Sequence, residues 1–189
     1  MSTPATVFDL LQYGDDNSTS ISGIDRPGLS YRELRELSSR TADTLNGLGI
    51  GRNDRVAIVL PNGPEMAAAF VAIAACATTA PLNPSYKKDE YDFYLSDLKA
   101  KALLVEKDSQ SPAVAAAREL GIQILDLETK SGQPAGTFTI RADAARQLSK
   151  NENAGMAGPD DVALVLHTSG TTSRPKIVPL RHKNVCASA

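Results

Sequence analysis

The sequence comprises 189 residues, of which 42% are hydrophobic and 22% are charged, and its formal net charge is −2 at pH 7. This composition is typical of a globular protein with a hydrophobic core, and the lack of a basic excess argues against nucleic-acid binding. Cys76 and Cys186 lie far apart, without ligand-like spacing to either histidine, so no zinc site is predicted. A membrane-spanning helix needs about 20 apolar residues, and the longest apolar run, residues 66–77, is shorter than that.

The first predicted elements are a hairpin and a helix. Residues 19–29 alternate weakly in hydrophobicity around the turn sequence DRPG at 25–28, which predicts a short hairpin. Ser30, followed three residues later by Glu33, predicts a capping box at the start of a helix. Leucines recur after it at near-helical intervals, and the glycines within 47–51 predict its end.

Strands and helices then alternate along the chain. Buried strands are predicted at 55–60, 102–106 and 122–127, a further strand just before residue 81, and helices at 87–98 and 112–120. Residues 66–77 are apolar on all sides, which predicts a helix that is covered on several sides. This alternation predicts an α/β fold, a parallel sheet flanked by helices on both faces, with ligands bound beyond the carboxyl ends of its strands.

The chain is predicted to have three parts. Residues 19–129 form the βα-repeat core, and residues 130–160, which are rich in small and polar side chains, form a connecting segment. Within this segment we predict a short hairpin at 138–140 and a helical turn near 142–148. Residues 161–189 supply one more apolar strand, a polar loop and the start of a helix without a stop signal, so we expect a longer parent protein.

The polar loop carries the most informative chemistry. Residues 164–180 read LVLHTSGTTSRPKIVPL, an apolar strand that ends in hydroxyls around one glycine. Gly170 allows successive backbone N–H groups to turn toward an anion, and Lys176 supplies a mobile positive charge, which together indicate a polyphosphate-binding loop. A polar surface turn has the same composition, and the residues alone leave that alternative open. A Walker loop is excluded because Pro175 and Ile177 stand where its second glycine and its magnesium-binding hydroxyl belong.

The candidate phosphate ligands are Thr168, Ser169, Gly170, Thr171, Thr172, Ser173 and Lys176, and two further candidates are Arg174 and His182. The run TSGTT at 168–172, followed by Pro175 and Lys176, resembles the phosphate loop of the adenylate-forming (AMP-binding) superfamily. That superfamily includes acyl-CoA synthetases, beetle luciferases and peptide-synthetase adenylation domains. Ser173 and Ile177 depart from the pattern, because the family usually has glycine at both positions. The form SRPK at 173–176 looks most like the oxalate–CoA ligase branch.

Four other stretches carry the same resemblance. They are LSYREL at 29–34, RVA at 55–57 with LPN at 60–62, APLNP at 80–84, and HKN at 182–184. The resemblance implies that residues 1–189 are the N-terminal portion of the AMP-binding domain of an ATP-dependent carboxylate–CoA ligase, with its C-terminal domain absent. Such an enzyme forms an acyl-adenylate from ATP and a carboxylic acid, here with oxalate as a candidate, and then an acyl-CoA thioester from CoA.

The resemblance also assigns roles. Lys176 would stabilise charge on the phosphates, while Mg²⁺ and the main catalytic residues would belong to downstream segments, so the fragment alone is expected to be inactive. Two alternatives stay open: a fatty-acid or coumarate–CoA ligase, and a truncated nucleotide-binding, phosphate-binding or interaction module without catalysis. The expected partners are ATP, a carboxylic acid, CoA and the remainder of the same protein, with no nucleic acid and no membrane span. The expected location is the cytoplasm, or the peroxisome if the remainder carries a targeting tripeptide.

Overall fold

The structure is a computed structural model that describes residues 3–142, 153–168 and 175–189. Its strands are β1 (Thr19–Gly23), β2 (Arg26–Ser30), β3 (Arg55–Val59), β4 (Thr78–Pro81), β5 (Ala102–Glu106), β6 (Gln123–Glu128), β7 (Thr139–Ala142), β8 (Val162–Thr168) and β9 (Lys176–Arg181). Its helices are α1 (Val7–Leu10), α2 (Tyr31–Gly47), α3 (Pro64–Ala74), α4 (Lys88–Asp97), α5 (Pro112–Glu119) and α6 (His182–Cys186).

The larger of the two sheets is mainly parallel. Its strand order is β7-β6-β5-β3-β4-β8-β9, and every neighbouring pair from β6 to β8 runs parallel. The outer strands β7 and β9 are antiparallel to β6 and β8. The smaller sheet is the predicted hairpin, formed by β1 and β2. Its turn lies at residues 24–25, so the predicted turn at 25–28 is misplaced, because residues 26–28 belong to β2. The predicted parallel sheet is therefore confirmed, and the three expected strands are observed within one residue of their predicted bounds.

Helices cover both faces of the larger sheet because its central strands are apolar on both sides. In β3, Val56 and Ile58 pack in one core with α2 and α3, whereas Ala57 and Val59 pack in a second core with α4 and α5. Successive side chains of a strand point to opposite faces, so a continuous apolar run fills both cores. The predicted helical layers on both faces are confirmed.

Local sequence signals set the helix starts. The Ser30 backbone N–H donates to Glu33 Oε2 at 2.8 Å, and the Ser30 hydroxyl accepts from the Glu33 backbone N–H, so the predicted capping box is present. The Ser30 hydroxyl also donates to Glu33 Oε2 at 2.7 Å, and the two hydrogen bonds that this carboxylate accepts from Ser30, from its backbone N–H and from its hydroxyl, hold the pKa of Glu33 below its ordinary value. Pro64 is the first residue of α3, where its missing N–H has no intrahelical partner to lose.

The structure contains two elements that the sequence analysis does not predict, and it contradicts one predicted hairpin. The short helix α1, capped by Thr6, is not predicted by any periodic pattern, and neither is strand β9. The predicted hairpin at 138–140 is wrong, because β7 instead pairs with β6 across the intervening turn segment. Most of the predicted helical turn near 142–148 lies outside the described residues. No helix in the described ranges has both the length and the apolar character needed to span a membrane.

Candidate functional site

The candidate site lies at the carboxyl end of β8, where the predicted phosphate loop begins. Strand β8 runs parallel to β4, so its last residues lie at the carboxyl edge of the sheet, where ligands bind in folds of this class. Strand β9 returns antiparallel beside it, and Thr168 is directly paired with Lys176. The Thr168 hydroxyl donates to the Lys176 carbonyl oxygen at 3.5 Å. The two residues that flank the loop, Thr168 and Lys176, therefore lie opposite each other.

The predicted site residues divide into three groups. Thr168 and Lys176 are exposed at facing positions on β8 and β9. The remaining members of the predicted loop lie outside the described residues: Ser169, Gly170, Thr171, Thr172, Ser173 and Arg174. His182 lies elsewhere, since β9 carries the chain six residues away from the loop before α6 begins. At about 3.4 Å per residue, that distance is about 20 Å.

His182 is buried between the first and last helices. Its side chain is fully inaccessible, and its Nδ1 accepts a hydrogen bond of 3.1 Å from the Val7 backbone N–H. Burial disfavours the imidazolium form and lowers the pKa of His182 below its ordinary value of 6.5, although the nearby carboxylates of Asp161 and Asp9 act in the opposite direction. The structure thus does not bring His182 together with Thr168 and Lys176.

The amino end of β8 is held by hydrogen bonds of Asn53 and Asp161, which together form a polar clamp. Asp161 accepts hydrogen bonds from the Gly158 backbone N–H at 2.7 Å and from Asn53 Nδ2 at 2.7 Å. Asn53 in turn accepts from the Val162 backbone N–H at 2.8 Å through its Oδ1. Asn53 has a φ of 65°, a left-handed conformation that asparagine tolerates better than most residues. The clamp fixes where β8 starts relative to the turn before β3.

Threonine hydroxyls supplement the backbone pairing between β4 and β8. Only one residue pair, Thr79 with Leu164, is in register between these two strands in the described chain. The Thr78 hydroxyl donates to the Val162 carbonyl oxygen at 2.6 Å, and the Thr79 hydroxyl donates to the Ala163 carbonyl oxygen at 3.1 Å. Both threonines are fully buried, so these bonds satisfy polar groups that water does not reach.

His167, which immediately precedes Thr168, was not among the predicted site residues. Its Nε2 lies 3.1 Å from Asp97 Oδ2 at the end of α4. Its ring meets the Tyr94 ring edge to face, with centroids 4.7 Å apart. The sequence shows that His167 lies beside the loop. It does not indicate the contact with Asp97, because the two residues are 70 positions apart.

A family model described as AMP-binding enzyme matches residues 14–189. The chain belongs to this family. It is 39% identical to an oxalate–CoA ligase of Arabidopsis thaliana, over 94% of this chain and 34% of that protein. It is 32% identical to the long-chain-fatty-acid–CoA ligase FadD13 of Mycobacterium tuberculosis, over 98% of this chain and 35% of that protein. The chain thus spans about a third of the length of these relatives.

The solved structures agree with the family assignment. Apo MatB from Rhodopseudomonas palustris superposes with a TM-score of 0.74 at 28% identity, over 97% of this chain and 36% of that one. ATP-bound MatB from the same organism superposes with a TM-score of 0.71 at 27% identity. The resemblance drawn from the loop and the four further motifs is confirmed, and the family match extends ahead of the first of those motifs.

Proposed function

We propose that this chain supplies the ATP phosphate-binding loop of a carboxylate–CoA ligase, with oxalate as the acid. The observation that carries the proposal is the pairing of Thr168 with Lys176 at the carboxyl edge of the sheet, in a chain 39% identical to an oxalate–CoA ligase. Because the chain spans about a third of its relatives' length, the complete reaction is proposed for a protein of their full length that contains it.

The proposed reaction has two half-reactions. A carboxylate oxygen attacks the α-phosphorus of ATP, which forms acyl-adenylate and releases pyrophosphate. The CoA thiol then loses its proton and attacks the acyl carbon, which forms the thioester and releases AMP. Negative charge accumulates on the β- and γ-phosphates in the first step, and preorganised donors that face this charge lower the barrier.

Lys176 is suited to that role because its backbone is held in place and its ammonium makes no ion pair with the described residues. Its backbone is fixed by pairing with Thr168, while its side chain is exposed at the carboxyl edge. None of the ion pairs found among the described residues involves Lys176, so no carboxylate of those residues competes with an anionic ligand for its ammonium. A flexible ammonium acts as a point charge that follows a moving phosphate.

Mg²⁺ would be held mainly by parts of the protein outside this chain. Within the described ranges, no group of three histidine, cysteine, aspartate or glutamate side chains lies close enough to hold a metal ion. The roles of Thr168 and Lys176 concern the phosphate oxygens themselves.

A long-chain fatty acid is the second candidate acid. The observation that favours it is the 32% identity to a long-chain-fatty-acid–CoA ligase, which covers 98% of this chain. Oxalate is preferred because the identity to the oxalate–CoA ligase is higher over a similar span. The two acids differ in charge and length, so substrate-dependent pyrophosphate exchange in a full-length protein distinguishes them.

The phosphate-binding part of the proposal is tested on the 189-residue chain itself. We expect titration calorimetry to detect ATP binding that Lys176→Ala weakens. Lys183→Ala is the matched control, since Lys183 lies beyond the opposite end of β9 and pairs with Asp160 at 2.6 Å. Equal affinities for the two variants would contradict the assignment of Lys176. The absence of any ATP binding by the wild-type chain would contradict the phosphate site as a whole.

A further inference from the structure

We propose that His167 is a positioning residue for this phosphate site, acting through Asp97 and Tyr94 to hold Thr168 and Lys176 in place. The inference rests on the proposed function, because it assigns a support to the site that the function requires. It goes beyond that function by naming the contact between β8 and α4 that sets the geometry of the two flanking residues.

The carboxyl end of β8 needs such a support. Its register with β4 in the described chain consists of Thr79 with Leu164, so the following four residues, 165–168, have no residue of β4 in register with them. On its other side, β8 is paired only with β9, the outermost strand of the sheet. A strand end without pairing on one side depends on side-chain contacts for its position.

His167 supplies the contact from the last residue but one of β8. Its Nε2 lies 3.1 Å from Asp97 Oδ2, and an ionised carboxylate only accepts hydrogen bonds, so Nε2 carries the hydrogen and donates. The histidine side chain is 8% exposed, compared with 39% for Asp97. The hydrogen bond is therefore shielded on the histidine side, where competition from water is weakest.

The place of Asp97 favours a role outside its own helix. Asp97 is the last residue of α4, where the helix dipole presents partial negative charge. A carboxylate at that position is unfavourable for the helix alone. The donor from His167 offsets this cost, which links the end of α4 to β8.

The aromatic contacts orient the imidazole ring. His167 meets Tyr94 at an interplanar angle of 68°, and Tyr94 stacks on Tyr86 with centroids 4.9 Å apart. Tyr86 in turn contacts the fully buried Tyr91, whose hydroxyl donates to the Asn83 carbonyl oxygen at 2.8 Å. The ring of His167 thus rests on a packed series of side chains that leads into the core.

The backbone passes this constraint to the site. His167 is paired with Ile177 and its neighbour Thr168 is paired with Lys176. Any displacement of His167 toward or away from α4 therefore shifts both flanking residues together. A shift of this kind is costly where donors must match fixed phosphate oxygens.

Four substitutions separate positioning from simple packing. His167→Phe keeps the aromatic contact and removes the donor, whereas His167→Gln keeps a donor. Asp97→Asn removes the charge of the acceptor. Asp160→Asn is the matched control, because Asp160 pairs with Lys183 at the other end of the same two strands.

The measurements are ATP affinity by calorimetry, the thermal midpoint, and amide hydrogen exchange of peptides that cover residues 164–168 and 176–180. We expect His167→Phe to weaken ATP binding about tenfold, as losing a hydrogen bond to a charged group does, and to speed exchange in both peptides. His167→Gln should restore most of the affinity, Asp97→Asn should be intermediate, and Asp160→Asn should match the wild type.

The outcomes are distinguishable. If the wild-type chain binds ATP and His167→Phe binds it equally with unchanged exchange, the positioning role is overturned. A drop in thermal midpoint that His167→Gln shares in full, with the same affinity loss, would assign His167 to packing alone and also overturn it. If the wild-type chain does not bind ATP, the proposed function fails, while faster exchange confined to the two peptides in His167→Phe would still support the structural link.

Discussion

The Val7 backbone N–H donates a hydrogen bond of 3.1 Å to Nδ1 of His182, although the two residues are 175 positions apart. This bond joins α1 to α6, and it satisfies an N–H in the first turn of α1 that has no intrahelical partner. The acceptor exists only while the imidazole is neutral, because both nitrogens of the imidazolium are donors. The contact between the first and last helices is therefore sensitive to protonation.

We expect the free energy of unfolding to fall as the pH decreases from about 7.5 to about 5.5. Burial lowers the pKa of His182 in the folded state below its ordinary value of 6.5. The unfolded chain therefore binds a proton that the folded chain resists, and the stabilisation present above pH 6.5 is lost below it. The slope from one such group is at most about 1.4 kcal/mol per pH unit. Urea unfolding at four pH values measures it.

His182→Asn and His182→Ala are the informative variants for this prediction. Asparagine offers an acceptor near the position of Nδ1 but does not titrate, so its profile should be flatter than that of the wild type. Alanine leaves the Val7 N–H without a partner and should lower stability at every pH. A profile for His182→Asn as steep as the wild-type profile would contradict the assignment.

Thr78→Val should destabilise the fold by about 1–2 kcal/mol, because it removes a buried donor while keeping the side-chain shape. The Thr78 hydroxyl lies 2.6 Å from the Val162 carbonyl oxygen, and that acceptor belongs to the short β4–β8 interface. Thr78→Ser is the matched control, since it keeps the hydroxyl and loses only a methyl group. Denaturant unfolding of the two variants should rank serine above valine, and the reverse order would show that packing outweighs the hydrogen bond.

Asn53→Ala should destabilise the chain more than Asn53→Gly does. Both substitutions remove the bonds to Asp161 and Val162, but alanine must also adopt a φ of 65°, which glycine accepts without strain. The strain costs about 1–2 kcal/mol, so the thermal midpoints of the two variants should differ. Equal midpoints would mean that the turn relaxes when the clamp is lost.

The central strands could be predicted from the sequence because each is a short apolar run bounded by turn residues. The sequence predicts the positions of helix ends less accurately, and the predicted helix at 66–77 is an example. Helix α3 ends at Ala74, and the N–H groups of Cys76 and Ala77 both bond to the Ile73 carbonyl oxygen in a turn. Residues 75–77 are apolar and buried like residues 72–74 at the end of the helix, so composition carries no sign of where it ends.

Strand β9 and the contact of His167 with Asp97 could not be predicted for different reasons. Pro179 lies inside β9, and a proline argues against a strand unless that strand is at a sheet edge, which sequence alone does not reveal. The pairing of His167 with Asp97 depends on how α4 packs against β8. Periodicity indicates which face of an element is buried, but not which residues of two distant elements meet.

We expect Lys176 to act mainly in the transition state of a full-length ligase that contains this chain. Charge builds on the departing pyrophosphate as the bond to the α-phosphorus breaks, so the ammonium gains more in the transition state than in bound ATP. Lys176→Ala should therefore lower kcat for pyrophosphate exchange, by about 10²-fold as for the loss of one donor from other preorganised anion sites. Thr172→Ala should have a smaller effect, because neighbouring hydroxyls and N–H groups compensate, and Arg174→Ala should have the smallest.

A near-normal kcat with only a raised KM for ATP in Lys176→Ala would make the lysine a uniform binder of ATP. If all three variants behaved like the wild type, the loop would be the polar surface turn that its composition also allows.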